Sequence, residues 1–396
     1  MNYLLIEQAD FRERLKPFTF TRPIAEVRVG ILTIREKWEK LLEESTSYIT
    51  SPYLSAKFPK KLADQNMLIN SSVCPTPELV AAIKMGASLK KGDILICFSA
   101  SENEIDAFSP SQKLEEAAEY DGELTFITDT WHIFQYNAKE IKADFELLTK
   151  GRKSKTIDDH ATVVYGKDNL FVEEGASIKA AIINAEDGPV YIGKNAHVHE
   201  GAIIKGAFAL CEGAHVNMGA KVKGDSTVGP YCKVGGEISN TVFFGYSNKG
   251  HDGFIGNSVV GEWCNLGADT NTSNLKNNYA NVKLWSYADK RFKDTGLQFC
   301  GLMMGDHSKC GINTMFNTGT VVGISANIYG SGFPRNYIPS FAWGGAAGFT
   351  TFQLRKAFEV AEKVMERRKV DFDQNEKDIL THLFENDQEE RFWEKK

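Results

Sequence analysis

Residues 190–234 read VYIGKNAHVHEGAIIKGAFALCEGAHVNMGAKVKGDSTVGPYCKV, and their spacing decides the fold. Ile192, Val198, Ile204, Leu210, Val216, Val222, Val228 and Val234 fall at strict six-residue intervals, with glycine and small residues crowded between them. After an interruption the period returns at Met304, Cys310, Phe316, Val322 and Ile328, and in between lie Ile255-Gly256, Val260-Gly261 and Leu266-Gly267. Such a period matches neither an α-helix nor the two-residue alternation of a lone amphipathic strand. It marks a solenoid whose repeats are each too small to bury a face alone, so that stacking supplies the core. The aliphatic residues are expected to point into a narrow prism, with small residues turning its corners.

Working outward, residues 1–150 alternate strand-like and helix-like segments. Leu4-Leu5-Ile6 and Asp93–Phe98 read as short buried strands, and Ile34, Trp38 and Leu41 share one helix face. Thr33 with Glu36 forms a capping box ahead of that helix, and Pro77 after Thr76 suits a first helical position. This is an α/β pattern, for which a largely parallel sheet with covering helices is expected. After Ile338-Pro339 the repeat ends; Leu354, Phe358, Ala361 and Met365 lie at helical spacing, with Arg367-Arg368-Lys369 at the favourable C-terminal end of the helix dipole. A second, acidic helical stretch over about 373–393 ends in Phe392-Trp393 and would cover the solenoid end or pack on a neighbour. Three domains are thus expected: an α/β domain at 1–150, an all-β parallel β-helix at 151–345 and a helical extension at 346–396.

Composition narrows the function classes. With 42% hydrophobic and 25% charged residues the chain is an ordinary globular protein, and a net charge of −6 gives no broad basic field for nucleic acid. No apolar run reaches the length of a membrane span, and the start at Met1 resembles neither a signal nor a transit peptide, so a cytoplasmic protein is expected. Seven cysteines, an odd number with no Cys-x-x-Cys pair, read as reduced and mostly buried thiols.

The segment Asn248-Lys-Gly-His-Asp-Gly-Phe-Ile-Gly256, continuing to Asn265-Leu-Gly-Ala268 and Asn274, resembles the acetyltransferase half of the bifunctional enzymes that make UDP-N-acetylglucosamine. The resemblance implies left-handed coils of about three hexads each, acetyl-CoA as cosubstrate and a homotrimer with each site between neighbouring prisms. It places His251 on the catalytic histidine, Asn265 and Asn274 on sugar-binding asparagines, and Gly267 and Ala268 on backbone that meets acetyl-CoA. An imidazole suits the role, because an attacking amine or hydroxyl must lose a proton near neutral pH. Phe254 stands where the family has a substrate-binding tyrosine. Gly206–Gly213 lacks the family's arginine, and Ser239 and Asn240 stand where a lysine is expected, so the phosphate-binding cations of the family are replaced.

The N-terminal domain is similar to sugar-nucleotide pyrophosphorylases in Arg14-Leu-Lys-Pro-Phe-Thr19 and Arg22-Pro23, which makes Arg14 and Arg22 candidate nucleotide-binding residues or structural partners of carboxylates. Asp10–Glu13 replaces the family's glycine loop, and Ile94–Ser99 lacks its Mg²⁺-holding aspartate, so Mg²⁺ would be needed only if this domain is active. His197, His199, His215 and His307 raise a metal alternative on the pattern of γ-type carbonic anhydrases, but the His-x-x-x-x-His pair of that family is missing, and no metal is expected. The insertion at Asp269–Phe299 brings Lys276 and Lys283, which could meet coenzyme A phosphates or be surface charge. The leading expectation is acetyl transfer to a sugar phosphate or nucleotide sugar. A non-catalytic trimeric scaffold that binds a sugar nucleotide, and a bifunctional nucleotidyltransferase/acetyltransferase, are the alternatives.

Overall fold

The computed structural model describes residues 1–105 and 110–394, packed as two compact units. The first comprises Met1–Leu15, Thr21–Val27 and Leu32–Asp129, and the second comprises Lys16–Phe20, Arg28–Ile31 and the chain from Thr130 onward.

In the first unit, strands Thr46–Ile49, Asn2–Ile6 and Gln65–Asn70 run parallel around Leu4 and Leu68, which are buried. The expectation of a largely parallel sheet fails beyond this point. Ile94–Ser101 pairs antiparallel with both Gln65–Asn70 and Leu89–Lys91, so the sheet is mixed. The physical reason is a hairpin: Gly92, at φ +56°, reverses the chain just before Ile94, which then enters the sheet from the opposite end. The helix Ile34–Leu42 has its capping box, with Thr33 accepting from the Glu36 amide and Glu36 accepting from the Thr33 amide. Thr76 likewise caps Pro77–Lys84.

The second unit is built on a parallel β-solenoid of about ten turns over residues 163–344. The hexad arithmetic explains it. Ile192, Leu210 and Val228 stack on one face, Val198, Val216 and Val234 on another, and Ile204 and Val222 on the third. Three hexads therefore make one coil, and each inward residue lies on the one a coil earlier. All eight are buried in a single continuous core. Where the period breaks, the coils shorten without losing register: Val228 lies beside Phe243 and Val234 beside Lys249. The core continues through Ile255, Val260 and Leu266 to Met304, Cys310 and Phe316. The expected insertion is shorter than its sequence reading, because Asn271–Thr272 remains a solenoid strand paired with Met315–Phe316. Within the insertion, Lys283–Ser286 and Arg291–Asp294 form an antiparallel hairpin.

The helices His132–Gln135 and Asn137–Thr149 belong to this unit as well. Asn137, wholly buried, holds them there: its amide donates to Asp225 O and Thr227 Oγ1, and its oxygen accepts from the Gly30 amide. At the C-terminal end, the helices Leu354–Glu366 and Gln374–Asn386 follow the last coils, and Trp393 packs against the solenoid core. All seven cysteines are buried and none is disulfide-bonded. Among the described residues no helix is long and apolar enough to cross a membrane.

Candidate functional site

One face of the solenoid carries a ladder of outward residues in register: His197, His215, Lys233, Asn248, Asn265 and Lys309. These residue types face outward because strand alternation turns their neighbours Val198, Val216, Val234 and Leu266 into the core. Beside the ladder lies a cleft of about 800 Å³. His251, Asn265, Gly267 and Ala268 all line it, so the structure brings together four of the residues singled out in the sequence. Its cations are Lys233, Lys309, Arg367 and Arg368, and its lining includes no carboxylate. Arg368 also donates to Asn248 Oδ1 at 3.3 Å, tying the end of the Leu354–Glu366 helix to the ladder. His251 itself is exposed and also borders an adjoining pocket of about 710 Å³ with His199, Asp252 and Asp269.

The turn that carries His251 is held from inside. Lys249 occupies a core seat, in the same stack as Val234 and Leu266, and its side chain is fully buried. Its ammonium donates to the carbonyls of His251 at 2.6 Å and Asp252 at 2.7 Å. Burial pushes its pKa down to about 8, against the pull of Asp252, Cys310 and Asp269. From two coils earlier, Asn217 reaches past Gly235 and donates to Gly250 O at 2.7 Å. At Gly253, φ +108°, an added Cβ would lie 2.2 Å from Thr270 O, so only glycine completes this turn. Close approach also explains Gly267, where a Cβ would meet the Gly311 backbone at 2.4 Å.

Asn274 and Phe254 do not line the 800 Å³ cleft. They meet instead across Gly256, and Asn274 donates to Asn257 Oδ1 at 2.8 Å. Arg14 and Arg22 lie in the first unit. Arg14 is ion-paired with Asp129, and Arg22 is buried, its carbonyl accepting from Arg12 at 3.2 Å. Glu7 is bound by Arg12 at 2.9 Å and by the Ile24 amide at 2.7 Å. Asp10–Glu13 lies within the helix Ala9–Arg14. Lys276 and Lys283 line a different cavity, away from His251.

Three histidines of the metal alternative do cluster. The rings of His197 and His215 stack at 4.6 Å, and His199 Nε2 lies 3.1 Å from His215 Nδ1. Their planes are nearly parallel, and among the described residues no three His, Cys, Asp or Glu side chains could hold a metal ion. Burial, with Lys233 and the other two rings, pushes His215 down to about 4. His307 stands elsewhere, beside Trp263.

Sequence reasoning missed Lys249, Asn217, Lys233, Lys309 and the two arginines of the cleft. Lys249 had a signal: aligned on the core ladders, it is a charged residue at an inward seat. Arg367 and Arg368 had none, because their reach depends on how the helix docks.

Comparison with known proteins adds the family context. Residues 3–153 match the sugar nucleotidyl transferase family model. The chain is a distant relative of bifunctional GlmU-type nucleotidyltransferase/acetyltransferases. It is 26% identical over 194 residues to the bifunctional protein GlmU of Wigglesworthia glossinidia brevipalpis, covering 48% of this chain and 35% of that protein. It is 28% identical over 193 residues to a bifunctional sugar-1-phosphate nucleotidylyltransferase/acetyltransferase of Sulfurisphaera tokodaii, covering 43% and 48%. A shorter match, 32% over 87 residues, is to the bifunctional protein GlmU of Methanocaldococcus jannaschii, covering 22% and 21%. The chain thus spans about half or less of the length of these curated relatives.

Proposed function

We propose that this protein transfers an acetyl group from acetyl-CoA to a hydroxyl or amine of a sugar phosphate or nucleotide sugar, with His251 as general base. The observation that carries the reading is the exposed imidazole at the rim of a cleft with four cations and no carboxylate, a setting that favours a phosphorylated ligand. The acceptor O–H or N–H gives its proton to His251 as its lone pair attacks the thioester carbon. The C–S bond then breaks, and the coenzyme A sulfur leaves and takes up a proton. Asn265 would hold the acceptor, and the backbone at Gly267-Ala268 would lie against the donor arm. Phe254 and Asn274, together on the neighbouring face, would contribute sugar contacts in a homotrimer, whose packing would place one subunit's face against another's cleft.

Glu7 and Asp129 of the first unit are engaged by Arg12 and Arg14, which disfavours these two carboxylates as Mg²⁺ ligands. The acetyl-transfer reading therefore does not extend to nucleotidyl transfer, although the family match to residues 3–153 keeps the bifunctional alternative worth assaying. The test of the main reading is His251→Ala in the full chain, assayed for thiol release from acetyl-CoA against a panel of sugar phosphates and nucleotide sugars. Loss of transfer by 100-fold or more with coenzyme A binding retained is expected. Full transfer by the variant refutes the base assignment, and coenzyme A failing to bind the wild type refutes the reading as a whole.

A further inference from the structure

A second cavity of the solenoid unit, of about 960 Å³, is built by the insertion hairpin and the segments around Arg335 and Phe392. Its size is that of small-molecule sites. One wall is aromatic. Trp285 stacks on Tyr337 at 4.3 Å with the planes 13° apart, and Phe292, its cross-strand partner on the hairpin, meets it edge-on at 5.5 Å. Phe292 remains 44% exposed, an uncovered apolar ring on the cavity lining. The indole N–H of Trp285 is buried and meets no acceptor among the described residues, although such a donor ordinarily finds one.

The charges lean one way. Lys276, Lys283, Lys290 and Arg335 line the cavity against two carboxylates, Glu389 and Glu390. Glu389 lies 3.5 Å from Lys290, and Glu390 accepts from the Tyr337 hydroxyl at 2.7 Å. The remaining cations include Lys283, which makes no ion pair among the described residues. Four cations less two carboxylates leave a local excess of +2 in a chain whose net charge is −6. An aromatic wall beside excess cations suits a ligand with one flat apolar end and one polyanionic end.

We propose that this cavity is a second ligand site, separate from the His251 cleft, that takes a nucleoside diphosphate group. The base lies against Phe292 and the Trp285–Tyr337 stack, and the phosphates meet Lys276, Lys283 and Arg335. The group could arrive as part of a nucleotide sugar or as the adenosine diphosphate portion of coenzyme A, since both carry the same base-plus-diphosphate chemistry.

Titration calorimetry on the full chain tests this, with ADP, UDP and inorganic pyrophosphate as probes. Lys283→Glu and Phe292→Ser both alter exposed side chains and so leave the fold intact, and His251→Ala serves as a control from the other cleft. At least one nucleoside diphosphate is expected to bind, with each cavity variant weakening it tenfold or more and His251→Ala leaving it unchanged. Coenzyme A and a UDP-sugar are then compared, and whichever loses affinity in the cavity variants identifies the source. Unchanged nucleotide affinity in both variants overturns the proposal. So does pyrophosphate binding as tightly as ADP and UDP, which would mean charge attraction without a base site, and so does the absence of any binding at millimolar nucleotide. Absence of acetyl transfer by the wild-type chain, with this nucleotide binding intact, would refute the acetyl-transfer reading alone.

Discussion

Replacing Lys249 by methionine separates two effects that usually travel together. The ammonium makes two charge-assisted bonds, at 2.6 and 2.7 Å, to the successive carbonyls of His251 and Asp252. Each such bond contributes about 1.5–3 kcal/mol net, so removing both relaxes the turn by about 3–6 kcal/mol. Against this, the charge occupies an apolar seat in the prism, and relieving its desolvation returns several kcal/mol, which is why exchanging buried charge for a well-packed apolar side chain is often neutral or stabilising. Methionine is unbranched and of similar length, so it refills the seat between Val234 and Leu266 without a large cavity. The two contributions nearly cancel globally and act oppositely in place. The melting temperature of Lys249→Met is expected to stay within about 4 °C of the wild type, on a scale of about 2 °C per kcal/mol for a unit of this size. Hydrogen exchange in the peptide covering residues 248–256 is expected to speed by about a hundredfold, corresponding to about 3 kcal/mol of lost local restraint. Acetyl transfer would fall with it, chiefly in kcat. A fall in melting temperature of 8 °C or more with turn exchange unchanged would refute this, because Lys249 would then support the rod rather than hold the turn.

Gly267→Ala forces a Cβ to 2.4 Å from the Gly311 backbone, which no rotamer relieves, so a loss of several kcal/mol is expected in thermal unfolding of the solenoid unit. Thr33→Ala removes the capping box and is expected to cost about 1 kcal/mol, read by chemical denaturation of the first unit. Arg14→Ala removes the guanidinium that pairs with Asp129, a carboxylate only 4% exposed, and is expected to destabilise the same unit by about 3 kcal/mol. His215 is pushed down to about 4, whereas an unfolded histidine titrates near its ordinary value of 6.5; the unfolded chain therefore binds more protons between these values. Stability contributed by the neutral ring is complete above pH 6.5 and is lost as pH falls toward 4, and His215→Gln is expected to flatten that part of a melting-temperature profile against pH.

Much of the solenoid was legible because its signal is long and redundant. Eight aliphatic residues at one spacing fix which side chains point inward, and a single misread rung would have been outvoted by the rest. His251, Asn265, Gly267 and Ala268 were legible through motif resemblance, and they do line one cleft. The mixed sheet was less so, since its reversal at Gly92 depends on one hairpin that local pattern renders as two successive strands. Least legible was the cationic wall of the cleft. Lys233 and Lys309 are far apart in sequence and become neighbours of His251 only through coil stacking, while Arg367 and Arg368 arrive from a helix beyond the repeat. Lys249 was hidden for another reason: the shortened coil shifts its number out of the hexad count, although its neighbours Val234 and Leu266 show its seat to be an interior one.

The long detour through the insertion leaves the rod's bookkeeping untouched. Val260 finds Met304, Leu266 finds Cys310 and Thr272 finds Phe316, so all three faces resume together after a detour of the same length. Such a joint is indifferent to what it carries. The hairpin with Trp285 and Phe292 can be enlarged, trimmed or exchanged without renumbering a single interior contact, which lets recognition at that edge diversify while the scaffold around His251 is inherited unchanged.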